Sequence, residues 1–591
     1  MKNKILKVIV IGAIIASGSI FANAATYTVT KVADTSDGVC DSDCSLREAV
    51  GAANATVDND TIQFNFPLFN SSQTILLLSG EIVIANNGTL TISGPGADRL
   101  TVDGNQASRI LTVGPSATAN VSGIRFTRGN GAGALNTGRG GAVYVVGGTL
   151  TMSNSILENN TAANGGAFNN SASAAPAVPA TSTYIKCVFS NNSSTSTGAA
   201  GQNFSTSFLT IEGSTFTGNS GGTATGGGAL QLNGQVRITN STFNGNTATA
   251  GAGGAIQSNG ALLLLTNVTI TGNTSVTFGG GLHRATTNVN GFIRNSIIAG
   301  NNGAAASPDV TNSAAGLASQ GNNIIGNTGT STGWVASDLL NTNPLLTPIG
   351  NYGGFGMTHA LLAGSPAING GQNCVTDLSC SANNPPTAVT NDQRGATRPT
   401  DTTVDIGAFE VSSSYRAVLR NAVLNQNYFS EIVPRLGGFG YFVSSGSLPP
   451  GLNLGIIIPF KSDPLGSGIL DISGTPTQAG TFDFSLTATN GTNSAIINYS
   501  LTVTGAVANV SISGKVLDGG LGVVPNALVL ITDGASVNMS TRSNSFGNYR
   551  FAGLAPGVPY TITVQTKGLT YPPAMIAPSG NVTGFDLFPT P

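Results

Sequence analysis

Charge, histidine and long apolar runs are all scarce in this chain, and each shortage removes a class of function. Asp, Glu, Lys and Arg make up 8% of the 591 residues, and the formal charge is −2. That balance leaves no basic footprint for nucleic acid or an anionic membrane. Only two histidines occur, His283 and His359, and neither opens an H-E-x-x-H or H-x-x-E motif, so hydrolytic zinc has no ligand set. After the N-terminus no run of 18 or more apolar residues appears, which removes a transmembrane helix. Helical repeats need ten or more residues of 3.6 period, whereas Gly-Gly and Asn-Gly interrupt this chain every eight or so.

Lys2, Lys4 and Lys7, the apolar stretch from Val8 to Ile15, and Ala22-Asn23-Ala24 read as a secretory signal peptide over residues 1–24. Without it, 21 basic side chains face 26 acidic ones, a formal charge of −5. The end, GFDLFPTP, shows no sorting motif. The expectation is a secreted or cell-surface location, without a transmembrane segment once the leader is removed. Export permits disulfides, and Cys40 with Cys44 and Cys374 with Cys380 form near pairs. A C-x3-C zinc site is the rival reading of the first pair, with no nearby His to complete it. Cys187 is left over, its role open.

What the chain has in abundance is a repeat. SILENNTA, CVFSNNSS, STFTGNSG, STFNGNTA, VTITGNTS and SIIAGNNG align the apolar residues Leu157, Phe189, Phe216, Phe243, Ile270 and Ile298, with spacings of 32, 27, 27, 27 and 28. Three residues after each comes Asn160, Asn192, Asn219, Asn246, Asn273 or Asn301. Gly-Gly-small-apolar recurs beside them, as at Gly140-Gly141-Ala142 and Gly253-Gly254-Ala255. A period near 27 with short alternating segments predicts an all-β parallel β-helix, three strands per coil, each coil about 4.8 Å above the last. The apolar residues stack inward and the asparagines form a turn ladder, their left-handed backbone tolerated by that side chain. Residues 169–183 read as a loop inserted in one coil.

Such a stack ends in an open sheet edge, which needs a lid. Ser45-Leu46-Arg47-Glu48 is a capping box opening a short helix, with Leu46, Val50 and Ala53 on the face that covers the first coil.

The segment DGVCDSDCSLREAV resembles the signature of bacterial CSLREA-domain proteins, and the Gly-Gly-Ala and Phe-x-x-Asn repeats resemble those of polymorphic outer-membrane proteins. NPLLTPIGNYGGFGMTHALLAGSPAINGG and NDQRGATRPTDTTVDIGAFE resemble the choice-of-anchor Q region, which follows a right-handed β-helix in such proteins. The resemblance implies an exported, surface-associated protein with a right-handed coil, and it supplies no catalytic residues. Farther on, LPPGLNL and ISGTPTQAGTFDFSLTATN alternate Phe482, Phe484, Leu486 and Ala488 with polar residues, and resemble bacterial immunoglobulin-like or cadherin-like domains. Gly514, Pro525, Ala527, Gly547, Tyr549, Phe551, Leu554 and Gly557 carry the pattern of a carboxypeptidase regulatory-like domain, a transthyretin-like sandwich. The expected order is a cap at 25–60, β-helix at 61–340, choice-of-anchor Q-like region of the β-helix at 341–411, and β-sandwiches at 412–506 and 507–591.

Catalysis is not expected. Glycoside hydrolysis needs two carboxyls about 5 to 9.5 Å apart. In repeat register Glu158 and Glu212 lie five residues and two coils apart, roughly 19 Å. A lyase needs clustered Asp around calcium with a basic residue nearby. Asp103, Arg237 and His283 are the positions to which product formation would point; the pair His283 and Arg284 reads more simply as two exposed loop residues. No cofactor is expected; Asp34, Asp37, Asp41 and Asp43 form a weak Ca²⁺ candidate beside a simpler turn-forming role. The leading reading is a surface β-helix scaffold for binding or adhesion to a glycan or protein; stacked Asn and Thr could supply the hydrogen bonds, with the binding face left open. The alternative is a polysaccharide lyase or glycoside hydrolase on the same fold.

Overall fold

The computed structural model describes residues 24–85, 87–174, 177–222, 226–260, 262–286, 290–304, 308–313, 316–434, 438–457, 468–505, 510–520, 522–533, 538–555, 558–578 and 580–590. Residues 1–23 of the expected leader and Gly557 lie outside them. Among the described residues no helix is long and apolar enough to cross a membrane.

Three long parallel sheets, of 11, 9 and 11 strands, wind together with a shorter one of 5. Each successive strand of a sheet comes from the next coil: Phe208–Glu212 pairs with Gln235–Thr239, which pairs with Leu262–Thr266. The nine strands of the second sheet, one per coil, give a parallel β-solenoid of about nine turns. In-register stacking places like residues over like. Leu157, Phe189, Phe216, Phe243, Ile270 and Ile298 are successive partners in the third sheet, each fully buried. The Phe216 ring lies 4.4 Å from Phe189 and 4.5 Å from Phe243, stacked almost parallel to both.

The asparagine ladder runs beside this column and points one way. Each side-chain Nδ2 donates to the Oδ1 of the next coil: Asn160 to Asn192 and Asn192 to Asn219 at 3.0 Å, Asn219 to Asn246 and Asn246 to Asn273 at 2.8 Å, Asn273 to Asn301 at 2.9 Å. The second N–H donates back to a main-chain carbonyl, that of Phe189 for Asn219. The last donor, Asn301 Nδ2, meets the carboxylate of Asp309 at 2.8 Å, so an acceptor-only group ends the chain of amides. The left-handed residues are not the ladder asparagines. They are the ones just before, Asn159, Asn191, Gly218, Gly245, Gly272 and Gly300, with φ between 52° and 72°. The turn is made one residue early, which frees the ladder side chain to aim along the stack.

The inserted loop is also shorter than expected. Phe168–Ser171 and Thr181–Ile185 are strands paired on both sides, so the extra residues lie within 172–180.

Helix Leu46–Asn54 begins at Ser45, whose Oγ accepts from the Glu48 N–H at 3.1 Å while the Ser45 N–H donates to Glu48 at 2.7 Å. Leu46, Ala49, Val50 and Ala53 are buried in the same core as the coils. Both near pairs of cysteines are disulfides, Cys40–Cys44 and Cys374–Cys380. Cys187 is a free, fully buried thiol among the coils, where burial pushes its pKa up to about 12.

Residues 345–411 do not extend the stack as further coils. They turn back and strap its flank. Gln393 Nε2 and the Met357 carbonyl bind Thr215 Oγ1 at 2.9 and 2.7 Å, and Thr242 Oγ1 donates to Gln393 at 2.5 Å. Asn240 reaches the Asn391 carbonyl, Asn267 that of Asp405, and Asn322 that of Gly370. These stacked Thr and Asn side chains are therefore bonded to the chain itself.

Beyond the strap lie small, mainly antiparallel sheets. Gly480–Thr489 pairs with Ser494–Thr504, and Ile469–Gly474 lies between Tyr428–Val433 and Leu452–Ile457. Phe484, Leu486 and Ala488 share one buried cluster with Tyr352, Leu361 and Phe409 of the strap, so no gap in packing falls at residue 411. Residues 510–590 form separate two- and four-stranded sheets around their own core of Ile512, Val529, Tyr549, Phe551 and Tyr560.

Candidate functional site

The second sheet carries a polar row on the face turned away from the core, buried from Tyr144 to Gln257 and partly exposed at His283 and Thr311. Its strands alternate, and the first residues, Val143, Phe168, Leu230, Ile256, Leu282 and Val310, enter the core. The next positions stack in register on the other face: Tyr144, Asn169, Gln202, Gln231, Gln257, His283 and Thr311. At about 4.8 Å per rung the six steps span roughly 29 Å. Asn169 Nδ2 donates to Gln202 at 3.1 Å, and Gln231 Nε2 to Asn233 at 3.0 Å. Five buried atoms of the row have no partner: Asn169 Oδ1, Gln231 Oε1, Gln257 Oε1, His283 Nδ1 and Thr311 Oγ1. Such groups are costly without a hydrogen bond. His283 is partly exposed and stacks 5.7 Å from the ring of Phe278, itself 54% exposed. Burial lowers the His283 pKa, which keeps a neutral imidazole at the row's accessible end.

A sequence signal for this row existed. Tyr144, Asn169, Gln231, Gln257 and His283 each stand three residues beyond a Gly-Gly pair. The glycine is needed there: at Gly253, φ is +69° and a Cβ would strike the Ile256 carbonyl.

The residues considered for catalysis are scattered. His283 and Arg284 are not loop neighbours but consecutive residues of strand Leu282–Arg284, hence on opposite faces. Arg284 is fully buried, held by Gly316 O and Ser258 Oγ at 2.7 Å and Gly260 O at 3.1 Å. Asp103 stands in the third sheet, ion-paired to Arg128 at 2.5 Å; Arg237 stands in the first and His283 in the second. Glu158 pairs with Arg125 at 2.5 Å in the third sheet, and Glu212 lies in the first.

The four aspartates near the cap do not converge either. Asp34 is ion-paired with Arg47 at 2.7 Å and accepts the N–H groups of Leu78 and Ser79. Asp37 and Asp41 each close a local turn, onto Val39 and Asp43, and Asp43 pairs with Lys31 at 3.0 Å. Among the described residues no cluster of His, Cys, Asp and Glu is arranged to hold a metal ion.

The densest charge cluster is structural. In DQRGATRPTDTTVDIGAFE, Arg394 binds Asp392 and the carbonyls of Tyr352 and Glu410, its guanidinium 3.5 Å from the Phe409 ring centroid. Arg398 Nη1 donates to Glu410 at 2.8 Å and its Nη2 to the Gly407 carbonyl at 2.7 Å. Asp405, 2% exposed, accepts from the N–H groups of Asn369 and Val411. Burial, and then Glu410, push its pKa up to about 7.

Nearby His359 donates from Nδ1 to the Thr347 carbonyl at 2.8 Å, and burial takes its pKa down to about 4. The two shifts oppose each other. The raised Asp405 pKa makes the native state bind more protons than the unfolded chain between about pH 4 and 7, so its contribution to stability falls as pH rises through that window. The lowered His359 pKa does the reverse, adding stability between about pH 4 and 6.5. Urea midpoints of His359→Gln should therefore decline from pH 4.5 to 7 more steeply than those of the wild type; parallel curves would refute the assignment.

Residues 511–577 match the carboxypeptidase regulatory-like domain. No curated protein matches the chain. Among solved structures it is similar to a variant of BcpA, the major pilin subunit of Bacillus cereus, at 12% identity over 29% of this chain and 68% of that one, with a TM-score of 0.19. An endo-fucoidan hydrolase of glycoside hydrolase family 107 matches at 13% identity over 29% and 28% (TM-score 0.13), and the Bacillus anthracis TIE protein at 10% over 29% and 39% (TM-score 0.14). Scores this low carry no argument about function. What the comparisons identify in this chain is one regulatory-like β-domain at its C-terminal end, attached to a parallel β-solenoid.

Proposed function

We propose that this is an exported bacterial surface scaffold that binds an extended glycan or a protein strand along the outer row of its second sheet, without catalysing its cleavage. The observation that carries the reading is the row from Asn169 to Thr311, in which five of six stacked rungs hold a polar atom without a partner among the described residues and the His283 end is partly exposed. A linear polymer with a hydroxyl or amide on each unit matches such a periodic set of acceptors. Low charge suits recognition by neutral hydrogen bonds, and the exposed Phe278 beside His283 offers an apolar face for a sugar ring. In this reading residues 1–24 are a leader, the coil is right-handed, and the helix at Leu46–Asn54 is its N-terminal lid. Membership of the CSLREA and choice-of-anchor Q families, and the immunoglobulin-like and transthyretin-like sandwiches, belong to the same proposal.

The test is a glycan and polysaccharide panel with the full mature chain, read for bound protein and for new reducing or unsaturated ends. The expected result is saturable binding without product, weakened at least tenfold in Gln257→Ala/His283→Ala. Binding unchanged in that variant refutes the row, no binding refutes the scaffold reading, and product formation makes the protein a polysaccharide-degrading enzyme.

A further inference from the structure

One buried arginine lacks the partners that its neighbours have. Arg294 ends strand Gly291–Arg294 in the first sheet, facing away from the core, and is 3% exposed. Its Nη2 donates to the Ala382 carbonyl at 3.2 Å and reaches Gln320 Oε1 at 3.5 Å; its Nε and Nη1 have no acceptor. It belongs to none of the ion pairs among the described residues. The contrast with the other buried arginines is direct. Arg109 has Glu81, Arg394 has Asp392 and Arg398 has Glu410, while Arg284 binds an oxygen with each of its three nitrogens. A guanidinium taken out of water without acceptors is strongly disfavoured, and burial alone acts on its pKa, downward.

The position opposite, one coil earlier, is Thr266, fully buried, with no partner for its hydroxyl. Two guanidinium nitrogens and a hydroxyl thus stand on adjacent rungs with no acceptor among the described residues. The next rung is Thr239, which lines a polar cleft of about 270 Å³ between the solenoid and strap residues 387–395, with Lys186, Glu212 and Asp392 at its wall.

We propose that Arg294 and Thr266 hold a small monovalent anion, a halide or a carboxylate, on the flank of the solenoid beside the strap. Nε–H, Nη1–H and Oγ–H are its donors, and it supplies the charge that no side chain provides. A carboxylate arrives on a ligand lying in the cleft past Lys186; a halide is captured from solution.

The experiment compares the full mature chain with Arg294→Gln and Thr266→Val in sodium chloride and sodium acetate titrations at constant ionic strength, and examines bromide-soaked crystals by anomalous scattering. A bound anion raises Tm by about 1–2 °C per tenfold increase above its Kd in the wild type. The response should vanish in Arg294→Gln and shrink in Thr266→Val, which keeps the reading if the arginine variant fails to fold. A chloride response with a bromide peak beside Arg294 marks a halide site; an acetate response alone marks a carboxylate site. Identical responses in wild type and Thr266→Val, with no bromide peak, mean that water alone solvates the guanidinium and overturn the proposal.

Discussion

Arg398→Met should cost about 3–5 kcal/mol, the penalty for removing one partner of a buried pair and stranding the other. Arg398 is 3% exposed and Glu410 1%. After the substitution the Glu410 carboxylate keeps the N–H groups of Thr400 and Asp405 but loses its ion-pair partner among the described residues, with Asp405 close enough to repel it. The carbonyls of Asp405 and Gly407 lose their guanidinium donors as well. Because the strap, the flank of the solenoid and the sheet of Phe484 meet around this knot, the loss should appear as an earlier urea transition of the whole region. Arg398→Met/Glu410→Leu should recover part of it, since the stranded charge is gone. A single variant within about 1 kcal/mol of wild type would show that the pair is solvated and does not hold the strap.

Asn219→Asp should be about as severe, and far worse than the formally reverse change Asp309→Asn. Asn219 is fully buried, and its Nδ2 donates to Phe189 O at 2.9 Å and Asn246 Oδ1 at 2.8 Å. A carboxylate oxygen there faces two acceptors, stranding both beside an unpaired charge, for about 3–5 kcal/mol. The defect should shrink towards pH 4, because protonating the acid restores one donor. At the ladder's end, Asp309 accepts Asn301 through Oδ1 and the Asn327 N–H through Oδ2. An amide keeps the first set and loses the second, for about 1–3 kcal/mol. Thermal melts of both variants at pH 4.5 and 7.5 read the ordering; equal losses at pH 7.5 would remove the ladder's direction from the account.

The solenoid was legible because its information is periodic. Stacking repeats each requirement once per coil, so Phe189, Phe216 and Phe243, and the asparagines after them, announce the register in one dimension. Residues that break or cross the period were not legible. The left-handed turn residue changes from Asn at 159 and 191 to Gly from 218 onward, and is masked by the constant asparagine beside it. His283 and Arg284 are adjacent in sequence, yet the strand sends them to opposite faces. The strap reads as an ending of the coil because its partners are distant: Gln393 binds Thr215, 178 positions back, through residue types that carry no mark of pairing. The outer row was hidden for a different reason. Gln231 and Gln257 are ordinary residues, and only their shared offset from the glycines distinguishes them.

The strap also changes how the molecule carries load. A bare stack of coils peels one rung at a time when its last coil is pulled, and each rung resists alone. Here a pull on the C-terminal sheets enters through residues 345–411, which are tied in parallel to Thr215, Asn240, Thr242, Asn267 and Asn322. The force is spread over several coils in shear, and the end coil is shielded. The back-stitched chain turns a zipper into a lap joint.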